Sequence, residues 1–408
     1  MTSGKRSALD FEEARRIVIE TTRPLIPDDR REVVSLDEAH GRILAAPLRA
    51  DRDIPALRRS LRDGFAVRSA DLPGVLAVRG EVRAGESGNE ALGAGEATEI
   101  MTGAPVPDGS DAVVMIEHVT RFQDDSGRQM VKIESSAEAG QFINSRGAEA
   151  TEDAILVHSG TRLDASHVAA LASVGQVAVE VFRRPSVAIL ATGDEIVGVG
   201  EAPLPHQVRN SNSYMLASLV RSSGGVPTIL PIAPDRPKDL QALLERGLTY
   251  DLLLVTGGVS AGKYDLVKPG LRDLGAEFLF ERVRIQPGQP TAFGVRKGKP
   301  LFGLPGNPGS TLITFQLFAR PVLELLGGLA QPLLPLLSAR FEAPFEHKGG
   351  LTRFLPAFLT ADGQHLRHIP WQGSSDIPAL ARANAFLVAD HDRLIWETGD
   401  AIRVMLKP

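Results

Sequence analysis

Leu301-Phe-Gly-Leu-Pro-Gly-Asn-Pro-Gly-Ser310 sets an apolar strand, a stiff loop and a helix start in direct succession. Leu301 to Leu304 has the continuous apolar character of a strand buried on both faces, and two prolines with two glycines then shape the loop. Free N–H groups and the dipole at a helix mouth of this kind favour an anion. The other reading is a strand-to-helix turn with fixed dihedrals. Two more loops share the form: Val187 to Leu190 runs into Ala191-Thr-Gly-Asp-Glu195, and Leu252 to Val255 into Thr256-Gly-Gly-Val-Ser260. A parallel α/β sheet lines up such loops at the carboxyl ends of its strands, where its ligands bind. An enzyme with one composite anion site is expected.

Working outward, Arg184 to about Leu326 repeats strand, loop and helix. Met215, Leu216, Leu219 and Val220 mark one helix, closed by Gly224-Gly225; Thr228 to Ile232 is the next strand; Leu240, Leu243 and Leu244 mark a second helix. Thr311 to Phe318 is apolar on nearly all sides and is expected to be buried. Asp10-Phe-Glu-Glu13 has the form of a capping box, with Phe11, Ala14, Ile17 and Val18 following at helical spacing. Ser35-Leu-Asp-Glu38 repeats that signature before a short helix predicted to end near Gly41. From Asp53 to about Gly140, Pro, Gly and alternating residues predict a β-rich insertion, with a solvated loop over Ala84 to Gly95. Beyond Gly327-Gly328 and Pro332 to Pro335, short strands such as Phe386 to Val388 and Ala401 to Met405 predict a small β-barrel.

The 408 residues, 43% of them hydrophobic, exceed one core and predict two to four domains. A formal charge of −5 with dispersed Lys and Arg argues against nucleic acid or an anionic membrane as the main partner. The absence of cysteine excludes disulfides, thiolate nucleophiles and sulfur-ligated metals. No apolar stretch approaches the ~20 residues of a membrane helix, and no hydrophobic signal core opens the chain. A soluble cytoplasmic protein is expected. The nine histidines show no metal-ligand spacing, so no zinc site is expected.

Asp194 and Glu195 offer hard oxygen donors for Mg²⁺, which binds through one or two carboxylates plus substrate phosphates. Alternatively Asp194 caps the segment that follows it. Gly257 and Gly258, with the Thr256 and Ser260 hydroxyls, have the makings of an anion-binding nest. Lys263, Lys268, Arg282 and Arg284 are cations suited to phosphate, and Asp265 is a further candidate metal ligand. Each of these, taken alone, also reads as a solvated surface charge. Ser260 and Ser310 lack an evident catalytic triad.

Asp63-Gly-Phe-Ala, Met101-Thr-Gly-Ala-Pro-Val-Pro, Arg183-Arg-Pro, Thr192-Gly-Asp-Glu195, Asn210-Ser-Asn-Ser-Tyr-Met215, Gly257-Gly-Val-Ser-Ala-Gly262 and Gly303-Leu-Pro-Gly-Asn-Pro308 occur in one order. Together they resemble the molybdopterin molybdenumtransferase family, MoeA and the E domain of gephyrin, from about residue 8 to the C-terminus. Any one motif is weak, but the set in register is specific.

The resemblance implies an L-shaped homodimer in which the α/β domain of one subunit faces the β-rich domain of the other. It divides the chain into an α/β molybdopterin-binding domain (8–26 and 183–328), a linking domain (27–52 and 141–182), a β-rich insertion (53–140) and a C-terminal barrel (329–408). It implies Mg²⁺-dependent hydrolysis of adenylylated molybdopterin, release of AMP and insertion of molybdate into the dithiolene. Asp63, Thr102, Glu195 and Asp265 are then catalytic, with Glu195 and Asp265 holding the metal. Asp235, Gly257, Gly258, Ser260, Lys263, Lys268, Arg282, Pro305, Gly306, Asn307 and Pro308 bind substrate. Further partners it implies are the adenylyltransferase of the same pathway and acceptor molybdoenzymes.

The chain departs from the family pattern in places. Arg59-Ser-Leu-Arg62 precedes Asp63-Gly; Glu99 replaces an Arg; Asn144-Ser-Arg146-Gly-Ala-Glu149 is poorer in positive charge; Gln286-Pro-Gly-Gln289-Pro replaces two lysines by amides; Leu351 stands for an Arg. Each lost cation weakens anion binding by about 1 to 2 kcal/mol in a desolvated site, offset in part by Arg59 and Arg62. Two other functions fit the same residues: a pterin-binding carrier or scaffold without turnover, and a nucleotide pyrophosphatase. Retention of Asp63, Thr102, Glu195 and Asp265 favours catalysis over the carrier.

Overall fold

A computed structural model describes residues 8–26, 30–87, 90–259 and 266–407. They form two compact bodies: the described residues of Met1–Ala45, Ser159–Asp164 and Ala178–Pro408, and those of Ala46–His158 and Ala165–Val177.

The first body is built on a six-stranded sheet in the order Val226–Ile229, Ser186–Ala191, Leu252–Thr256, Lys299–Leu304, Ala292–Arg296, Glu277–Phe280. The first four strands are parallel; Ala292–Arg296 pairs antiparallel with Lys299–Leu304, and Glu277–Phe280 antiparallel with Ala292–Arg296. Side chains alternate across a strand, so each central strand feeds two cores. Val187, Ile189, Leu252, Leu254, Phe302 and Leu304 face the helices Phe11–Thr22, Ser211–Ser222 and the run Pro308–Leu326. Ala188, Leu190, Leu253, Val255 and Leu301 face Pro237–Gly247 and Val267–Asp273. Burial on both faces is why these strands are apolar without a break. Asp10 accepts the Glu12 amide and starts the first helix as its sequence predicts.

The Pro308–Leu326 run is buried almost throughout, as expected of Thr311 to Phe318, and contains a π-helical turn at Phe315–Ala319. Two expectations fail. Ser35 to Glu38 makes only a three-residue 3₁₀ turn at Leu36–Glu38, because the Ser35 hydroxyl donates to the Glu38 carboxylate, 3.0 Å away, and caps no backbone amide. The strand expected over Thr228 to Ile232 is Val226–Ile229 instead, since its register against Ser186–Ala191 begins at Val226.

The C-terminal barrel is present and closed. Leu336–Phe341 pairs with His365–His368 and Ala401–Leu406, and Thr352–Leu359 and Ala385–Ala389 complete the ring of five strands. Closure removes the free edges of the sheet, and Phe341, Leu355, Leu366, Leu387 and Trp396 fill the interior.

The second body carries another six-stranded sheet: Ala112–Met115, Gly64–Val67, Glu96–Ile100, Gly74–Val82, Gln129–Ile133, Val119–Gln123. This is the β-rich insertion. Phe65 and Ala66 alternate into its two cores, both fully buried. Gly64 has a stricter task, for a β-carbon there would stand 1.9 Å from the Val114 carbonyl oxygen of the neighbouring strand. No side chain fits that gap without separating two hydrogen-bonded strands. Gly64→Ala is therefore expected to destabilise this body by about 3 kcal/mol or more, read as an early unfolding transition by calorimetry. A wild-type melting profile would show that the strands separate freely.

Candidate functional site

The three loops meet at the carboxyl edge of the first body's sheet through backbone contacts. Gly257 donates its N–H to the Leu304 carbonyl at 3.2 Å, and Thr192 donates to the Thr256 carbonyl at 3.2 Å. Gly257 and Gly258 take φ of +94° and +60°, the left-handed region. A β-carbon on Gly257 would lie 2.5 Å from the Thr192 oxygen, and one on Gly258 2.8 Å from Val267 Cγ2. Both glycines thus satisfy conformation and space at once.

The carboxylates sort into separate roles. Asp194 Oδ1 accepts the backbone N–H of Asp235 at 3.1 Å, so Asp194 ties two loops together and does not cap its own successor. Thr192 Oγ1 donates to Asp235 Oδ1 at 3.2 Å, orienting that carboxylate. Glu195 is exposed and folds back over Gly193, where a β-carbon would stand 2.4 Å from Oε2. Glu195 and Asp235 are left as exposed oxygen donors on adjoining loops. Ser260, Lys263 and Asp265 lie outside the described residues. Among the described residues no three acidic or imidazole groups converge to hold a metal ion. A pair of carboxylates nonetheless suits Mg²⁺, which keeps waters and takes its remaining ligands from phosphate oxygens.

The proline loop is rigid as expected, but its helix mouth is not free. Pro308 has no N–H to offer, Gly309 donates to the Ser374 carbonyl at 2.7 Å, and Thr311 donates to Asn307 O at 2.9 Å. Asn307 Nδ2 donates to Ser374 Oγ at 2.9 Å. The C-terminal segment has occupied donors that the sequence alone leaves open for an anion. Pro305 O accepts hydroxyl bonds from Thr256 at 3.2 Å and Thr311 at 2.6 Å, and Gly306 O accepts from Asn212 Nδ2 at 2.6 Å. Asn212 was no site candidate on sequence grounds. It lies in the first turn of Ser211–Ser222, beside Asn210, whose side chain accepts the Ser213 amide.

Lys268 lies 3.7 Å from Glu281 and is only 14% exposed, so its charge is engaged within the fold. Arg282 is exposed, and its guanidinium has no partner among the described residues. Gln286, four residues further on, is also exposed, and a β-carbon on Gly288 would stand 2.4 Å from Thr314 Cγ2 of the buried helix run.

In the second body, Asp63 Oδ1 accepts both the Thr102 N–H at 2.6 Å and the Thr102 hydroxyl at 2.8 Å. These bonds, the amide foremost, hold the Asp63 carboxyl below the ordinary carboxylate range although it is exposed. Arg59 Nη1 donates to the Gly103 carbonyl at 3.5 Å, next to Thr102, which brings a cation beside the pair. Glu99 is bound by Arg121 in a two-pronged pair at 2.9 and 2.6 Å, with that guanidinium 5.0 Å above the Phe65 ring. The negative charge at position 99 is thereby matched locally. A cavity of about 820 Å³ in this body is bordered by Arg79, Glu81, Glu86, Glu90 and Glu96. Its acidic wall repels phosphate, and the carboxyl edge of the first body's sheet is the better candidate.

Comparison with known proteins shows what the chain is similar to. Residues 9–175 match the MoeA N-terminal region (domain I and II), 188–325 a probable molybdopterin binding domain, and 338–407 the MoeA C-terminal region (domain IV). The chain is 32% identical to the molybdopterin molybdenumtransferase of Bacillus subtilis (strain 168), over 98% of this chain and 95% of that one. It is 33% identical to that of Nostoc sp., over 92% and 89%. The molybdopterin biosynthesis MoeA protein of Pyrococcus horikoshii OT3 superposes with a TM-score of 0.82 at 27% identity, over 98% of this chain and all of that one. No helix among the described residues is long and apolar enough to cross a membrane.

Removing the Thr102 hydroxyl tests the Asp63 pair. Thr102→Val is expected to raise the Asp63 pKa part of the way to its ordinary value, because the backbone donor remains; an NMR titration reads it. Since the folded-state pKa is the lower one, the pair's contribution to stability is present above the unfolded pKa and is lost as pH falls through the folded one. An unmoved Asp63 titration would remove the hydroxyl from the account.

Proposed function

The chain belongs to the molybdopterin molybdenumtransferase family, enzymes of molybdenum cofactor biosynthesis, and from that premise we propose that it hydrolyses adenylylated molybdopterin, releases AMP and inserts molybdate. The reading rests above all on Gly257 and Gly258, whose left-handed backbones follow the strand next to that of the Glu195 loop, itself tied through Asp194 to the loop of Asp235.

Gly257 donates its N–H to the Leu304 carbonyl, and the Gly258 amide, with no backbone partner among the described residues, is the donor this turn offers to a diphosphate. Glu195 and Asp235 fit Mg²⁺ by donor type, together with Asp265 as the family resemblance implies. When bound, the ion would neutralise charge on the diphosphate bridge. Pro305 to Pro308 present a fixed wall, and Arg282 supplies a cation to the anionic substrate. Asp63, held ionised by Thr102, is a weak base at neutral pH but a well-oriented acceptor, suited to aligning a water. The dithiolene sulfurs arrive with the substrate, so a chain without cysteine lacks nothing for the insertion. We further propose a cytoplasmic homodimer with the four-domain division stated above.

Purified protein given adenylylated molybdopterin, Mg²⁺ and molybdate is expected to release one AMP for each metal inserted. Pterin binding without AMP release would favour the carrier, and AMP release from unrelated dinucleotides the pyrophosphatase. Asp265→Asn is expected to suppress turnover with little change in melting temperature; unchanged turnover would remove Asp265 from the metal site.

A further inference from the structure

We propose that Asn212 is a positioning residue whose side-chain amide fixes the proline loop against the glycine loop. Its Nδ2 donates both to Thr256 Oγ1 at 3.0 Å and to the Gly306 carbonyl at 2.6 Å. Thr256 ends one central strand, Gly306 lies in the loop after the next, and Asn212 itself stands on the first turn of a helix. Three chain segments therefore meet at one nitrogen. The Thr256 hydroxyl extends the tie by donating to Pro305 O at 3.2 Å.

The other end of the same amide is unusual. Asn212 Oδ1 is buried and has no donor among the described residues, an unfavourable arrangement that the two donated bonds must offset. Packing alone would be served as well by an apolar side chain of similar shape. What an apolar side chain lacks is the doubly donating nitrogen, so the contribution particular to the amide is the geometry it imposes. Two backbone contacts depend on that geometry: Gly257 N–H to Leu304 O at 3.2 Å, and the approach of Gly306 to Gly257, where a Gly306 β-carbon would lie 3.6 Å from the Gly257 α-carbon. A displacement of even about 1 Å in a positioning group lowers turnover far more than it lowers binding.

This role rests on the proposed reaction for its kinetic readout, but its structural readout stands alone. Asn212→Asp keeps the shape and turns the donor into an acceptor facing the Gly306 carbonyl. At pH 8 it is expected to lower kcat for AMP release at least about tenfold while KM changes less than about threefold. As pH falls toward 5 the ratio of variant to wild type is expected to recover, because a protonated carboxyl again donates to Gly306 O. Asn212→Ala is expected to show the loss without the recovery. In both variants the Gly257 amide should exchange its hydrogen faster than in wild type. Wild-type kcat in Asn212→Asp, the same loss at every pH in both variants, or unchanged Gly257 exchange would overturn the proposal. If the wild-type protein releases no AMP, the reaction assignment fails, and Gly257 exchange alone decides the role of Asn212.

Discussion

Gly257 comes so close to the Thr192 carbonyl that a β-carbon would stand 2.5 Å from its oxygen, and its own N–H reaches Leu304 on the other side. Through that approach three strand ends share one edge, so side chains on three loops occupy a common surface. The parallel strands behind it are buried on both faces and hold the edge still. Without the close approach the Asp235 carboxylate, oriented by Thr192, would have no neighbouring donor surface to act with.

Rigidity at this edge comes from remote parts of the chain. Ser374, from the C-terminal segment, accepts the Gly309 amide and the Asn307 side chain, which fixes the proline loop and fills the helix mouth. That leaves the Gly258 amide and the exposed carboxylates of Glu195 and Asp235 among the open polar groups of this edge. The cations follow the same division of labour: Lys268 is held by Glu281 within the fold, and Arg282 remains exposed. Departures from the family pattern behave similarly. Glu99 reverses a charge, and Arg121 answers it in the same sheet.

Strands such as Val187 to Leu190 were legible because burial on both faces forces an unbroken apolar run, and the loops after them because proline and glycine restrict the backbone. The antiparallel edge was not legible. Its hairpin turns at Lys297-Gly298 with φ of +48° and +76°, and a lysine there gives little of the signal that Asn-Gly would. Barrel closure was visible only as short strands, since the pairing of Leu336–Phe341 with Ala401–Leu406 joins residues far apart in sequence. Local signatures also misled where a side chain had a nearer partner: Ser35 turned to Glu38 and the predicted helix shrank to a turn. In the site, residue types marked Glu195, Asp235 and the glycines. Asn212 escaped notice because its partners lie 44 and 94 residues away and a helix-start asparagine ordinarily reads as a cap.

The most direct measurement is a crystal structure of the protein soaked with AMP and Mg²⁺. The account predicts the nucleotide phosphate against the Gly258 amide, with the metal ligated from the side of Glu195 and Asp235. Phosphate bound elsewhere, with those two carboxylates turned away from it, would contradict it.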